Sequence, residues 1–212
     1  MFSIFVYLFS AIISLWASAF FYKAWKKTGG QNYHEFYLFF VFLVMSFTLY
    51  AFSSGIAAEI GNFIMLFSFA FVLRAFIRFQ QVKSVSPNFI SAVVAVFSFI
   101  KLFVGMNALP QPVIQGFLIY WHYAIIDAIV FSIGIILFTL ALGVTFLSNL
   151  ANIKKNKVPL FFLGLGFLFA GLGGSLVVLV NDFWPLLVSY IFIFTVFVCA
   201  SVFILSSHTN KA

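Results

Sequence analysis

Residues 2–27 read FSIFVYLFSAIISLWASAFFYKAWKK, an apolar run that ends in a cluster of lysines. A helix of about 20 apolar residues spans the ~30 Å hydrocarbon core of a bilayer. The lysines follow this run, whereas a cleaved signal peptide carries its positive charge before the apolar stretch. The sequence therefore predicts a retained first transmembrane helix over residues 2–22.

The composition of the whole chain extends this prediction. Of 212 residues, 65% are hydrophobic and only 7% are charged, whereas a soluble domain has about 25% charged residues. The apolar runs are too long, and too little alternating, for the strands of a barrel. We predict an all-α, polytopic membrane protein, a bundle of seven transmembrane helices in one domain over residues 1–212. The spans are expected at 2–22, 35–55, 62–82, 88–106, 117–147, 158–180 and 184–206.

The basic residues predict the orientation of this bundle. If the spans alternate in direction, ten of the eleven basic residues fall on one side of the membrane. Lysine and arginine are enriched in cytoplasmic loops, so we expect the N-terminus outside, the C-terminus in the cytoplasm and a location in the plasma membrane. The charge of +7 is distributed in short clusters between apolar runs, which argues against a nucleic-acid partner. The ten residues are Lys23, Lys26, Lys27, Arg74, Arg78, Lys83, Lys154, Lys155, Lys157 and Lys211.

Two ionisable residues fall inside predicted spans. Lys101 lies in span four and Asp127 in span five, and a charge at the centre of a membrane helix costs about 2.5–3.5 kcal/mol. Consecutive antiparallel helices bring the two residues to similar depths, so we predict an ion pair within about 4 Å. If the ion pair involves only these two residues, replacing both of them, by Lys101→Met and Asp127→Leu, is expected to leave the stability of the fold nearly unchanged. The pair is interpreted either as a packing element or as part of a ligand or proton site, with Lys101 reaching the outer interface as a third alternative.

Further polar and aromatic residues are expected near the outer mouth of the bundle. Trp121, His122 and Tyr123 open span five, and Glu59 ends span two. Aromatic residues often form a belt at the membrane interface, but with nearby acids they also suit an outward-facing pocket. The predicted ligand-binding set is Lys101, Asp127, His122, Tyr123, Trp121, Glu59, Asp182 and Trp184.

Small residues recur every four positions on two spans. Such patterns let helix backbones approach closely, so we predict packing faces within the bundle or between protomers. Leu38-Phe39-Phe40 resembles Leu160-Phe161-Phe162, which is compatible with two parallel three-helix repeats joined by span four, or with the general similarity of apolar helices. The predicted packing residues are Gly166, Ala170 and Gly174 on span six and Ser10, Ser14 and Ser18 on span one.

No catalytic, phosphate-binding or metal-binding motif is found in the sequence, so we expect no enzyme, no metal site and no identifiable cofactor. The seven-span layout resembles that of rhodopsins, G-protein-coupled receptors and the seven-helix sensor regions that precede bacterial kinases. Three functions are considered beside contact with the lipid bilayer. The first is a receptor-like or sensory protein with an outer small-molecule site and a separate cytoplasmic signalling partner. The others are a small secondary transporter and a structural protein that forms homo-oligomers. The first is favoured.

Overall fold

The computed structural model describes residues 2–52, 54–79, 86–115, 118–148, 150, 157–179 and 183–209. These residues form an α-helical bundle with a short hairpin, as the composition predicts. The helices are α1 (Phe2–Thr28), α2 (Gln31–Ala51), α3 (Gly55–Phe79), α4 (Pro87–Met106), α5 (Ile125–Ser148), α6 (Lys157–Leu179) and α7 (Phe183–Thr209), and the strands are β1 (Gln111–Gln115) and β2 (Leu118–His122).

The helices have the length and surface of a membrane protein. In the described part of the chain, α1 to α6 are long and apolar enough to cross a bilayer, whereas the apolar stretch of α7 covers Leu187–Val196. Large apolar side chains face outward, and Phe103 and Ile125 are 74% and 75% exposed. Apolar surface of this kind is solvated by lipid chains, so the chain is a multi-pass membrane protein. A seventh span, the orientation and the particular membrane remain predictions.

Helices that follow each other in sequence pack side by side, and α7 packs against α1 to close the ring. The exception is α4, which lies on the outside of the ring against α3 and α5. It buries one narrow face, formed by Val94, Ser98, Lys101 and Gly105. Spacings of three and four residues place side chains on one face of a helix. A charged residue is therefore part of the only face that α4 turns toward the bundle.

The predicted start of span five at residue 117 is wrong. Leu118–His122 forms β2, which pairs antiparallel with β1, and α5 begins only at Ile125. Aromatic and β-branched residues favour strands, and pairing within a hairpin satisfies backbone groups that a broken helix would leave open. Because β2 contacts α1, α6 and α7, the hairpin lies across one end of the ring, which we call the hairpin end.

The predicted boundary between spans two and three is also wrong. Helix α2 ends at Ala51 and α3 begins at Gly55, where the Ala58 N–H donates to the Ser54 carbonyl at 2.9 Å and closes the first turn. Glu59 therefore lies on α3 and not at the end of span two. A side chain at Gly55 would collide with the carbonyl oxygen of Pro110, so glycine permits close contact between α3 and the segment before the hairpin.

The opposite end of the bundle, which we call the basic end, carries Lys27 at the end of α1, Arg74 and Arg78 at the end of α3, and Lys157 at the start of α6. This arrangement follows from the alternation of helices that was predicted from the sequence. The proposed pair of three-helix repeats joined by span four remains a prediction.

Candidate polar site at the hairpin end

Three buried ionisable side chains meet between α3, α4 and α5. The Lys101 ammonium lies 2.8 Å from Oδ1 of Asp127, as the predicted ion pair requires, and it also pairs with Oε2 of Glu59. All three side chains are 0% exposed. We call this group the ion cluster. Gly105, one turn along α4 from Lys101, provides space for it, because a Cβ there would overlap the Glu59 carboxylate.

The ion cluster is unbalanced in charge and in hydrogen bonding. It contains two carboxyl groups and one ammonium, so it carries a net charge of −1 when all three groups are ionised. Oε1 of Glu59 and Oδ2 of Asp127 are buried without a hydrogen-bond partner, whereas Oδ1 of Asp127 faces the Lys101 ammonium. The Lys101 ammonium also lies 5.7 Å from the Tyr123 ring centroid and 5.6 Å from that of Phe131, a cation–π geometry.

Asn62 connects the ion cluster to a group of tyrosines. Its amide nitrogen donates to Oε2 of Glu59 and to the Tyr123 hydroxyl, both at 3.3 Å, and its oxygen accepts from the Tyr50 hydroxyl. The hydroxyls of Tyr7 and Tyr190 lie 3.0 Å apart and bring α1 and α7 together near the same end. Sequence reasoning missed Asn62 and Tyr50. The available signal was that Asn62 follows Glu59 by three residues and so shares its helix face.

A cavity of about 40 Å³ lies beside this network, and we call it the hairpin cavity. Its polar wall includes Tyr7, Tyr50, Asn62, Trp121 and Tyr123. Trp121 is 1% exposed, and its indole N–H has no hydrogen-bond partner. Burial raises the pKa of Tyr123, which precedes α5, well above its usual range, so its hydroxyl stays neutral and available for hydrogen bonding. The cavity presents hydrogen-bonding groups that remain uncharged.

The structure separates the predicted ligand-binding residues into three groups. Lys101, Asp127 and Glu59 form the ion cluster and do not line the hairpin cavity. The rings of Tyr123 and Phe131 line the cavity and also contact Lys101. Trp121 and Tyr123 do line the hairpin cavity. His122 is exposed on the hairpin. Asp182 and the side chain of Trp184 lie outside what the structure describes. In the described residues, His, Cys, Asp and Glu do not gather in groups of three that could hold a metal ion.

The small residues predicted as packing faces are placed in two different settings. Ser10, Ser14 and Ser18 are buried on α1. Gly166, Ala170 and Gly174 instead line a second, larger cavity of about 110 Å³, which we call the phenylalanine cavity.

Glycines outside the predicted stripe also bring α5 and α6 into tight contact. A Cβ on Gly164 would lie 2.9 Å from Cγ of Leu147, and one on Gly143 would lie 2.6 Å from Cδ2 of Leu168. A Cβ on Gly166 would meet its nearest atom at 3.5 Å, an ordinary contact. Gly174 is also tight, since a Cβ there would lie 3.0 Å from Cδ1 of Ile135. The repeat of small residues therefore indicated the inner face of α6 and one of its tight contacts.

A second charged group lies at the basic end. Oε1 of the buried Glu35 accepts from Nη1 of Arg78 at 2.8 Å and lies 3.3 Å from Nη2 of Arg74. The sequence analysis placed both arginines at this end but did not identify Glu35 as their partner. The contact joins the start of α2 to the end of α3.

Comparison with models of protein families, with curated proteins and with solved structures finds no match for this chain. An assignment of function therefore depends on the geometry of the site itself.

Proposed function

We propose that this protein is a receptor-like or sensory membrane bundle that binds a small molecule in the hairpin cavity. The observation that carries the proposal is the unpartnered indole N–H of Trp121, fully buried in a residue that lines the cavity. A buried donor without a partner costs about 1–3 kcal/mol, and a ligand that supplies an acceptor removes that cost. Concave sites with a few convergent polar groups are the usual form of small-molecule sites.

In this proposal the ion cluster positions the wall of the cavity. Glu59 is fixed by Lys101, and Glu59 in turn receives a hydrogen bond from Asn62, which also bonds Tyr123. Tyr123 and Asn62 are lining residues, so a ligand that shifts either one acts on the contact between α3, α4 and α5. This coupling of a cavity to an interhelical ion cluster is what a sensory bundle requires, because ligand binding has to favour one packing of the helices over another.

With the orientation predicted from the basic residues, the hairpin cavity lies near the outer side of the membrane and the basic end faces the cytoplasm. A separate cytoplasmic partner would then bind the basic end and respond to the change in helix packing there. The transporter alternative requires a polar path that continues from the cavity to the basic end, whereas the neighbouring phenylalanine cavity has an apolar lining. The apolar lining between the polar groups of the two ends favours binding over transport.

The test is an experimental structure of the protein purified in nanodiscs, combined with mass spectrometry of bound small molecules. We expect non-protein density within hydrogen-bond distance of the Trp121 indole N–H. Trp121→Phe, which keeps a ring and removes the donor, should lose this density and the bound species. His122→Gln, at the exposed neighbouring position, is the matched control and should retain both. Water alone in the cavity of the unchanged protein would refute the proposal, and a water-filled path to the basic end would favour transport.

A further inference from the structure

The hairpin cavity and the phenylalanine cavity adjoin each other inside the ring. Phe47, Met65, Gly174 and Ile193 line both of them, so the two spaces share part of their walls. The shared residues come from α2, α3, α6 and α7. Taken together, the two cavities, which we call the combined space, reach from the hairpin end toward the middle of the bundle.

The two cavities differ in chemistry. The hairpin cavity has the tyrosine hydroxyls, the Asn62 amide and the free Trp121 N–H in its wall. The residues around the phenylalanine cavity are all apolar, and they include Phe39, Phe40 and Phe167. A cavity lined by such residues stays dry and accepts apolar groups. The combined space therefore has one end that forms hydrogen bonds and one end that buries hydrocarbon.

The volume limits the size of the apolar part of a ligand. An engineered cavity of about 150 Å³ in another protein binds benzene, and the phenylalanine cavity measures about 110 Å³. Gly166 and Ala170 contribute to this volume, because larger side chains at these lining positions would enter it. A body of roughly five or six heavy atoms is of the right size.

We propose that the two cavities together bind a small amphipathic molecule with a hydrogen-bond-accepting head group and a compact apolar body. This inference rests on the proposed function and specifies its ligand class. The head group lies beside Trp121, because an indole N–H donates only and requires an acceptor. The apolar body lies among the phenylalanines next to Gly166 and Ala170, where its burial contributes about 25 cal/mol per Å². The bilayer that surrounds the bundle concentrates molecules of this kind.

The experiment uses 4-bromophenol as the probe and bromobenzene as its analogue without a head group. Crystals of the full chain soaked in 4-bromophenol should show anomalous bromine signal in the phenylalanine cavity, with the phenol oxygen within hydrogen-bond distance of the Trp121 indole N–H. Bromobenzene should bind at least about tenfold more weakly, because it leaves that donor unsatisfied. Equal binding of the two probes, or bromine signal confined to the outer surface, would overturn the inference.

Cavity-filling variants separate this inference from the proposed function. Ala170→Leu should weaken 4-bromophenol binding at least about tenfold and abolish the bromine signal. Gly166→Ala is a milder variant whose added methyl makes only ordinary contacts, and it should weaken binding to a smaller extent. If the molecule that co-purifies with the protein still occupies the hairpin cavity of Ala170→Leu at undiminished affinity, the two-cavity inference fails and the proposed function stands. If the hairpin cavity holds only water in every variant and in the unchanged protein, both fail.

Discussion

Removing the positive charge from the ion cluster should damage the fold far more than removing one of its negative charges. At 2.8 Å, the attraction between the Lys101 ammonium and the Asp127 carboxylate is about 6 kcal/mol for an effective dielectric constant of about 20. Desolvation of the ions offsets part of this energy, and breaking a buried pair in soluble proteins costs about 3–5 kcal/mol. Lys101→Met should therefore lower the free energy of unfolding by about 3–5 kcal/mol, because it leaves two carboxyl groups without a cation.

Asp127→Asn should cost less than about 2 kcal/mol, because it leaves a one-to-one pair of Lys101 with Glu59. Glu59 also changes the expectation drawn from the sequence for the double variant. Lys101→Met with Asp127→Leu leaves Glu59 buried without a cation, so this variant should remain destabilised. Adding Glu59→Gln to it should recover most of the loss.

Equilibrium unfolding in mixed detergent and SDS micelles, followed by tryptophan fluorescence, measures these free energies. Helical content by circular dichroism before unfolding is the control for correct folding. The reasoning is refuted if Asp127→Asn destabilises the protein as much as Lys101→Met does. It is also refuted if the triple variant, with all three charges removed, is no more stable than the Lys101→Met single variant.

Three further predictions concern other parts of the molecule. Gly164→Ala should lower the free energy of unfolding by about 1–3 kcal/mol, because the added methyl would overlap Leu147. Gly166→Ala should leave the free energy of unfolding unchanged or raise it by up to about 1 kcal/mol. The same unfolding assay compares the two variants, and equal effects would contradict the packing described. Glu35→Gln should cost about 1–2 kcal/mol at low salt, because it removes the negative charge that faces two arginines while keeping an acceptor oxygen, and a loss undiminished in high salt would argue against an electrostatic cause. Single cysteines placed at residues 107–112 should react with an impermeant label from outside the cell, and those at 152–156 should not; the reverse pattern would invert the orientation.

Some residues of the candidate site could be predicted from the sequence more readily than others. Lys101 and Asp127 were identifiable because charges in apolar runs are costly and require partners, and the structure places them in contact. Glu59 was recognised as a candidate but was placed on the wrong helix, because the sequence between Ala51 and Gly55 contains no proline to mark the end of a helix. Asn62 and Tyr50 gave no such signal, since a single amide or hydroxyl in a helix has many possible partners until the neighbouring helix is fixed.

By itself, the sequence determined that this is a helical membrane protein, the approximate positions of its helices, and that Lys101 needs a buried acid. These properties follow from composition and from periodic patterns along the chain, because the free-energy cost of placing an apolar group in water or a charge in lipid depends on the local sequence. Only the tertiary structure decided that α4 lies outside the ring, that β1 and β2 pair across one end, and that Glu59 joins the cluster. It also decided that Gly166 and Ala170 border a cavity while Gly164 is in tight contact. Such features depend on which faces of different helices meet, and many helix rotations satisfy the same apolar pattern until side chains interlock.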